Sequence, residues 1–484
     1  MQHIECLIIG AGFGGIGMAI QLKKSGKSDF QIWEKASDFG GCWRDNTYPG
    51  AACDVPSHLY SYSFAPKKDW QYRFARQPEI LSYIQQCAQQ YQVISHLRFD
   101  HGVRSAEFNT ERQLWVIEAE NGNKITARYL ITATGQLNRP LIPNISGLDD
   151  FKGEHFHSAQ WRHDIDLTGK TVAVIGTGAS AIQFVPEISK IAAQVTLFQR
   201  SAPYVLPKPD RAYTPWEHAL LKWVPGLQKL SRVKTYLQYE SRVLGFRFHE
   251  HLMKIMAGQW ARYMKSQIKD PELRKALTPN YPMGCKRILL ANNYYETMKR
   301  NNVSLCSDGI SSVNDSGIID NNGQHHPVDV IIYATGFKAT EFLVPMTITG
   351  ANGQSLHDVW KNGAEAYLGI NVQGFPNLFM LYGPNTNLGH NSIIYMLESQ
   401  FRYILSAIKY QEKGGFRSID VLATPQRAFN ENIQTKIKNT VWNQGCHSWY
   451  ITDEGKNTVN WPTFTFNYRR MTSEFHPNDY HCQQ

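Results

Sequence analysis

Two glycine-rich turns, each between an apolar strand and a helix, restrict what this chain can fold into. The first turn follows the apolar residues 4–9, and the strand after its helix ends in Glu34. In such a unit the glycines allow a tight turn, close approach of a pyrophosphate to the helix N-terminus, and close packing of helix on strand. The acidic residue accepts hydrogen bonds from a ribose diol. The sequence therefore predicts a dinucleotide site near the start of the chain.

The second turn repeats the first but leads to a different charge. It carries Gly176, Gly178 and Ala181 in the three places, and its next strand runs into Arg200 and Ser201. A carboxylate there would repel a 2′-phosphate, whereas a guanidinium and a hydroxyl can bind one. We expect NADP rather than NAD at this site, the alternative being that Arg200 is an ordinary surface arginine.

Each turn is followed by a hairpin and then by a strand that ends in Ala-Thr-Gly, so one plan occurs twice. The hairpin turns are Asn121-Gly122 and Asn322-Gly323. The repeat predicts an α/β fold with two Rossmann-like dinucleotide-binding domains of the three-layer ββα sandwich type. The NADP domain is expected as an insertion into a discontinuous FAD domain. The predicted boundaries are 1–147 and 331–484 for the FAD domain with a C-terminal lid, 148–330 for the NADP domain, and 212–280 for a helical insertion within it.

The composition of the 484 residues is that of a globular protein with a formal net charge of +9. No apolar run reaches the roughly 18 residues that cross a bilayer, and the chain starts with a strand rather than a signal peptide, so we expect a cytoplasmic protein without a stable membrane anchor. The basic excess lies largely in residues 211–287, which favours an anionic cofactor and a solvated helical face over nucleic acid. Peripheral contact with an anionic membrane stays open, because tryptophans alternate there with lysines and arginines.

The eight cysteines are scattered and form no Cys-x-x-Cys motif. This pattern favours free thiols in a reducing compartment and argues against a dithiol reductase. No histidine or acidic cluster has the spacing of a metal site, and His325 and His326 fall in a hairpin tip. We therefore predict no metal.

Two longer motifs make the class of protein specific. Residues 40–54, GGCWRDNTYPGAACD, form an irregular stretch that matches a family signature at Gly40, Gly41, Trp43, Tyr48, Pro49, Gly50 and Asp54. Residues 151–161, FKGEHFHSAQW, match a second signature at Phe151, Gly153, His157 and Trp161. Both motifs resemble those of the type I Baeyer–Villiger monooxygenases, which use FAD and NADPH. Relatives that oxidise sulfides and amines usually have Tyr or Phe in place of Trp161.

The resemblance implies a set of cofactor-binding residues. For FAD it implies Gly10, Gly12, Gly14, Gly15, Glu34, Cys42, Trp43, Arg44, Asp54, Tyr60 and Val103. For NADP it implies Gly176, Gly178, Ala179, Ser180, Ala181, Arg200, Ser201, Lys286, Arg287 and Trp449. It also implies that residues 383–392 lie over the flavin ring, that Trp449 closes over NADP, and that His157 and Trp161 lie in an interdomain hinge. Packing in the core is the alternative for these last two.

The catalytic residues implied by the resemblance are Arg287 and Asp54. A flavin peroxide that attacks a ketone must stay anionic, and this requires a cation beside it. Arginine suits this role because it does not lose its proton, and Asp54 would hold it in position.

The function implied is insertion of one oxygen atom of O2 into a small-molecule ketone, with consumption of NADPH, to give an ester or a lactone. Two alternatives remain at this stage, a flavin monooxygenase that oxidises sulfides or amines and a non-catalytic flavoprotein that senses redox state. Arg162, where Pro or Asp commonly follows the signature tryptophan, and the short chain are departures from the family. The ketone is not specified, and either a monomer or a homodimer is expected.

Overall fold

Two sheets, one beginning at each glycine-rich turn, organise the computed structural model of the protein. The structure describes residues 1–484 except Phe248, Gln444 and His447, and for residues 247, 249 and 250 it describes the backbone alone. The strands are β1 Gln2–Ile9, β2 Phe30–Trp33, β3 Leu97–Arg98, β4 Val103–Asn109, β5 Leu114–Ala119, β6 Lys124–Thr132, β7 Glu154–His157, β8 Thr171–Ile175, β9 Gln194–Phe198, β10 Val205–Leu206, β11 Leu289–Leu290, β12 Val303–Cys306, β13 Ile310–Asn314, β14 Gly317–Asp320, β15 His325–Pro327, β16 Val330–Tyr333, β17 Thr347–Thr349, β18 Leu378–Met380, β19 Ser418–Val421 and β20 Tyr480–Gln483.

The helices cover the faces of these sheets and form the predicted insertion. They are α1 Phe13–Lys24, α2 Cys42–Asp45, α3 Gln77–Gln90, α4 Ala181–Ile188, α5 Pro215–Trp223, α6 Leu227–Glu240, α7 Val243–Arg247, α8 His249–Gln267, α9 Pro271–Ala276, α10 Tyr294–Thr297, α11 Leu356–Val359, α12 Ile393–Gly414, α13 Ala423–Lys438 and α14 Thr465–Met471. Helices α5 to α9 fall within the predicted insertion 212–280.

The first sheet has the order β17-β4-β5-β6-β1-β2-β3, with β18 also pairing with β6. Its central strands are parallel and in register, because Ile9 at the end of β1 pairs with both Trp33 and Thr132. Three strands thus end at one edge of the sheet. The glycine turn after β1 and Glu34 after β2 lie together at that edge, as the sequence predicts.

The second sheet has the order β12-β9-β8-β16-β7, and all its neighbours are parallel. The antiparallel sheet β13-β14-β15 packs on one face, where Ala173 and Ile331 share a buried cluster with Val313. Helix α4 packs on the opposite face, where Val174 and Ile332 share another cluster. Side chains alternate between the faces of a strand, so both faces are buried. This is the predicted ββα sandwich.

One predicted boundary is wrong by a strand. The division at residue 330/331 cuts β16, whose four residues pair with β7 and β8 along their whole length. The backbone of β16 is bonded inside the NADP domain, so that domain ends after Tyr333.

Two linkers between the domains run side by side. Leu141 N–H donates to Gly336 O at 2.9 Å, and Lys338 N–H donates to Arg139 O at 3.0 Å. His157, at the end of β7, lies against this pair, with its ring centroid 5.6 Å from that of Phe337. The structure thus places His157 against the linkers, and its role in a hinge stays a prediction.

The other residues of the 151–161 signature pack within the NADP domain. Trp161 lies 5.2 Å from the ring of Phe184 on α4, which favours the packing alternative for this residue. Phe151 belongs to the buried cluster under β13 and β14. A Cβ on Gly153 would lie 2.5 Å from Asp329 O, which explains the glycine.

We predict that His157 makes the fold sensitive to acid. The residue is 1% exposed, and burial lowers the pKa of His157 to about 4. The unfolded chain binds a proton near pH 6.5, so it takes up more protons than the folded chain between about pH 6.5 and 4, and the free energy of unfolding falls as the pH drops. At pH 5 the loss from His157 is at most about 2 kcal/mol.

Urea unfolding of the wild type and of His157→Gln at pH 7.5 and pH 5 measures this effect. The variant should lose less stability on acidification than the wild type. His481→Gln, which changes an exposed histidine, is the control. Equal acid sensitivity of wild type and His157→Gln would contradict the assignment.

Candidate active site

The first glycine turn forms a cradle at the start of α1. Gly10 has a φ of +100°, and a Cβ there would lie 2.7 Å from Ala133 O. Helix α1 begins at Phe13 after Gly12, with no side-chain cap and no acidic residue in its first turn. The first N–H groups of a helix have no partner within it and attract anions. The turn therefore fits the pyrophosphate of a dinucleotide.

Glu34 is buried beside this turn and is held by three donors. Its Oε2 accepts from Ala11 N–H at 2.9 Å, and its Oε1 accepts from Ala36 N–H at 3.1 Å. Arg44 Nη1 lies 3.0 Å from Oε1. Two residues of the predicted FAD set, Glu34 and Arg44, are therefore in contact, and the carboxylate is fixed at the edge where a ribose is expected.

The stretch 40–54 contains one helical turn, α2, so the expectation of a wholly irregular segment is wrong. Gly41, with a φ of 58°, allows the chain to enter that turn. Trp43 Nε1 donates to Tyr60 Oη at 3.1 Å, which brings together two more predicted flavin residues. Cys42 is exposed at the start of α2.

The same stretch also docks onto the NADP domain, a contact that sequence reasoning missed. Tyr48 Oη donates to Gln183 Oε1 at 3.0 Å, and Gln183 Nε2 donates to Ala52 O at 3.0 Å. A Cβ on Gly50 would lie 2.6 Å from Gln183 O. Residues 40–54, which include predicted flavin residues, therefore also contact α4.

Asp54 lies between two cations from the NADP domain. Arg287 Nη2 is 3.3 Å from its Oδ2, as the resemblance implied. Lys208 Nζ is 3.4 Å from its Oδ1 and donates to Cys53 O at 2.8 Å. Lys208 is only 8% exposed and was not anticipated, although a lysine inside the apolar stretch PYVLPKP is a signal that its charge has a partner.

Arg287 keeps its charge in this setting. Burial acts to lower the pKa of Arg287, but the nearby Asp54, followed by Tyr450 and Tyr382, outweighs it and raises the pKa above its usual value. The side chain remains 41% exposed, so part of the guanidinium is free of protein contacts.

The second glycine turn is part of the predicted NADP site. Gly176 has a φ of +107°, and a Cβ there would lie 2.5 Å from Ala334 O. Ala181 is the first residue of α4 and is fully buried, whereas Gly178, Ala179 and Ser180 stand between turn and helix. The turn therefore repeats the cradle of the FAD domain.

Lys286 joins Arg200 and Ser201 at the end of β9. Lys286 Nζ donates to Ser201 Oγ at 3.0 Å. Burial, and then the charge of Arg200, lower the pKa of Lys286. Two cations and a hydroxyl therefore converge at this place, and such a group fits a 2′-phosphate.

A disulfide between Cys285 and Cys446 corrects the expectation that all thiols are free. The two Cα atoms are 6.3 Å apart, and 161 residues separate the cysteines in the chain. Cys285 precedes Lys286 and Arg287, and Cys446 lies three residues before Trp449. The bond therefore ties the cation-bearing segment to the segment of the predicted lid.

The stretch 383–392 and residues 457–460 form a buried polar wall. Asn385 Nδ2 donates to Asn457 O and Asn460 O at 2.9 and 3.1 Å. Thr458 Oγ1, Asn460 Nδ2 and Ser392 Oγ have no partner among the described residues. Buried polar groups are normally satisfied, so these atoms fit the heteroatoms of a flavin ring.

Two remaining expectations concern Val103 and metals. Val103 begins β4 and is 5% exposed, within the apolar cluster on one face of the first sheet.

Within the described part of the chain, one group with metal-ligand chemistry occurs, Cys306, Asp320 and His326. In this group His326 Nε2 lies 3.0 Å from Asp320 Oδ2. The other carboxylate oxygen of Asp320 accepts hydrogen bonds from two backbone N–H groups of the hairpin. The absence of a metal stays a prediction.

Known proteins resemble the chain over its whole length. Residues 4–348 match the family model described as flavin-binding monooxygenase-like. A Baeyer–Villiger monooxygenase of Pseudomonas aeruginosa is 45% identical over 482 residues, which are 99% of this chain and 92% of that protein. One of Streptomyces coelicolor is 42% identical over 473 residues, 97% and 91% of the two chains.

Solved structures agree with these relatives. An oxidized steroid monooxygenase bound to NADP superposes with a TM-score of 0.89 at 29% identity, covering 100% of both chains. The closed structure of cyclohexanone monooxygenase gives 0.89 at 27% identity, again over 100% of both. The chain therefore belongs to the flavin-binding monooxygenase-like family. The predicted fold and class of enzyme are confirmed, as is the resemblance to Baeyer–Villiger monooxygenases.

We predict that Arg200 selects NADPH over NADH. A charge-assisted contact to the 2′-phosphate is worth about 1.5–3 kcal/mol, so Arg200→Ala should raise the KM for NADPH roughly tenfold to a hundredfold. The KM for NADH should hardly change, because NADH lacks this phosphate. Lys190→Ala, an exposed cation in the same domain, is the control. Equal losses for both coenzymes would contradict the assignment.

We also predict that Asp54 positions the cations rather than holding the flavin. Asp54→Ala leaves Arg287 and Lys208 without their counter-ion, so ester formation should slow about tenfold or more, while FAD stays bound. Product formation and the flavin absorbance of the purified variant measure the two effects. Asp358→Ala, which removes an exposed carboxylate on α11 of the same domain, is the control. Loss of FAD from Asp54→Ala would instead make residues 40–54 chiefly a flavin clamp.

Proposed function

We propose that the protein is a Baeyer–Villiger monooxygenase that uses FAD, NADPH and O2 to convert a small-molecule ketone into an ester or a lactone. The observation that carries the proposal is the contact of Arg287 with Asp54, which belongs to the same stretch 40–54 as the predicted flavin residue Trp43. The net reaction consumes ketone, NADPH, a proton and O2 and yields ester, NADP⁺ and water. FAD, when bound, accepts the hydride and activates the oxygen.

Arg287 is the group expected to meet the substrate. When an oxygen nucleophile adds to a ketone, negative charge develops on the carbonyl oxygen, and a fixed cation stabilises it most where water is scarce. The raised pKa of Arg287 keeps the guanidinium protonated throughout the working range of pH. Its open face can therefore donate hydrogen bonds to the developing oxyanion.

Asp54 and Lys208 are expected to orient this arginine. Asp54 occupies one side of the guanidinium at 3.3 Å and restricts where the remaining N–H groups point. Lys208 holds the other carboxylate oxygen and is anchored on the backbone of Cys53. A fixed donor needs little reorganisation during the reaction, which is the main advantage of a preorganised site.

The NADPH-binding residues are expected to act independently of this charge. Arg200, Ser201 and Lys286 anchor the coenzyme by its 2′-phosphate, and the turn at Gly176 receives its pyrophosphate. Hydride transfer needs the alignment of two rings, and it depends on Arg287 much less than attack on the ketone does. The two halves of the reaction can therefore be separated by substitution.

Arg287→Ala should uncouple the enzyme. We expect NADPH oxidation to continue with release of hydrogen peroxide, while ester formation falls by about a hundredfold to a thousandfold. Arg287→Lys keeps the charge but not the planar fork, and should retain part of the ester formation. NADPH absorbance, a peroxide assay and gas chromatography of products, with a panel of linear, cyclic and aryl ketones, measure the three quantities.

The controls identify the reaction as well as the residue. Methyl phenyl sulfide in the same assay tests the alternative of heteroatom oxidation, and sulfoxide without any ester from the wild type would contradict the proposed function. Substantial ester from Arg287→Ala would move the stabilising cation elsewhere, with Lys286 as the first candidate.

Compartment and assembly are further proposals. We expect the protein in the cytoplasm as a monomer or homodimer, although the Cys285–Cys446 disulfide removes two of the thiols on which the first expectation drew. Cell fractionation and size-exclusion chromatography with light scattering test the two statements.

A further inference from the structure

The helical insertion exposes an unusual amount of apolar surface. Among the described residues, ten of the eighteen large apolar side chains that are exposed lie between positions 216 and 255. Trp223 is 76% exposed, and Trp216 and Leu230 are each 64% exposed. Exposed apolar side chains concentrated in one segment on this scale indicate an interaction site.

These side chains form one stripe on each of two helices. On α5 the stripe consists of Trp216, Leu220 and Trp223, which are four and three residues apart. On α6 it consists of Leu230, Val233 and Leu237, which are three and four residues apart. This is the spacing of a single helix face. We call the two stripes with their surrounding residues the α5–α6 surface.

Helix α6 has its polar face turned toward the protein, whereas an ordinary surface helix turns its apolar face inward. Gln228 Nε2 donates to Lys67 O at 2.6 Å, and Arg232 Nη1 donates to Ser61 O at 2.7 Å. Glu240 is 4% exposed and accepts from Asn391 Nδ2 at 2.6 Å. The inner face is thus satisfied by specific hydrogen bonds. The apolar face of α6 therefore points toward the solvent.

The exposed charged side chains between residues 215 and 246 have one sign. The exposed charged side chains described between 215 and 246 are Lys222, Lys229, Lys234 and Arg242. Glu217 is partly buried and bound to Arg211 at 2.6 Å, and Glu240 is buried. Between residues 215 and 246 the exposed charges are therefore all positive, and the exposed Asp69 near His218 of α5 is paired with Lys67 at 2.8 Å.

We propose that the α5–α6 surface docks on the headgroup region of a bilayer with anionic lipids. Amphipathic helices with tryptophan and leucine on one face and lysines around it lie in the membrane interface in this way. A second copy of the chain fits less well, because a twofold interface would bring the same four cations against each other. No described helix is long and apolar enough to cross the membrane, so the contact is peripheral.

Docking would bring the bilayer close to a wall of the active site. Glu240, at the end of α6, joins Asn391 and Thr465, and Asn391 belongs to the stretch 383–392. The helix therefore connects the lipid-facing surface to the predicted flavin cover. This inference does not depend on the reaction that the enzyme catalyses.

Vesicle sedimentation of the full-length holoenzyme tests the proposal. We expect binding to vesicles of equal phosphatidylcholine and phosphatidylglycerol, little binding to phosphatidylcholine alone, and release in 0.5 M KCl. Lys222→Glu and Lys234→Glu should each weaken binding about fivefold or more. Trp216→Gln combined with Trp223→Gln should abolish it. Lys413→Glu and Ile191→Gln, exposed residues elsewhere, are the matched controls and should bind as the wild type does.

Flavin content and NADPH oxidation in buffer show whether each variant is folded, since these residues lie outside the binding machinery. Equal binding to both kinds of vesicle, or unchanged binding of the tryptophan variant, would overturn the proposal. So would a dimer that the tryptophan substitutions dissociate in the absence of any vesicle binding, since the surface would then join two copies of the chain.

Discussion

The ion pairs of Asp54 with Arg287 and Lys208 hold the two domains together at the predicted active site. Asp54 comes from the FAD domain, and both of its cations, Arg287 and Lys208, come from the NADP domain. Its side chain is 14% exposed, and two like charges held this close need a counter-ion between them. The clasp of Tyr48 on Gln183 fixes the same stretch of chain. A rotation of the domains must therefore break these contacts or move Arg287 together with residues 40–54.

The sequence predicted those features that a short stretch of chain determines. Strand, glycine turn, helix and the charge at the end of the next strand lie within about thirty-five residues, so Glu34 and Arg200 could be assigned from their offsets alone. Parallel strands that end in register then bring both turns to their sheet edges. The pairing of Arg287 with Asp54, and the inclusion of Lys286 in the NADP set, came from family motifs, because more than eighty residues separate Arg287 from Asp54 and Lys286 from Ser201.

The features that the sequence could not supply depend on packing between distant segments. Nothing near Lys208 indicates that its partner is Asp54, and nothing near Gln183 indicates Tyr48. The disulfide of Cys285 with Cys446 is of the same kind, because scattered cysteines carry no pairing information until the chain is folded. The boundary at residue 330 was wrong for a related reason. The sequence of β16 leads into the Ala-Thr-Gly that ends the domain, so it could not show to which domain the strand belongs. The pairing of β16 with β7 and β8 assigns it to the NADP sheet.

The basic excess of the chain has two separate origins, which its sequence could not distinguish. One set of cations is turned inward, where Arg232 donates to backbone carbonyls and Lys208 and Arg287 hold a carboxylate. The other set, which includes Lys222 and Lys234, stays in solvent beside exposed tryptophans and has no acidic partner among the described residues. Cations of the first kind have their partners within the protein. Cations of the second kind form no ion pairs that stabilise the fold. The proposed binding to an anionic bilayer accounts for their positive charge and for their position around an apolar stripe.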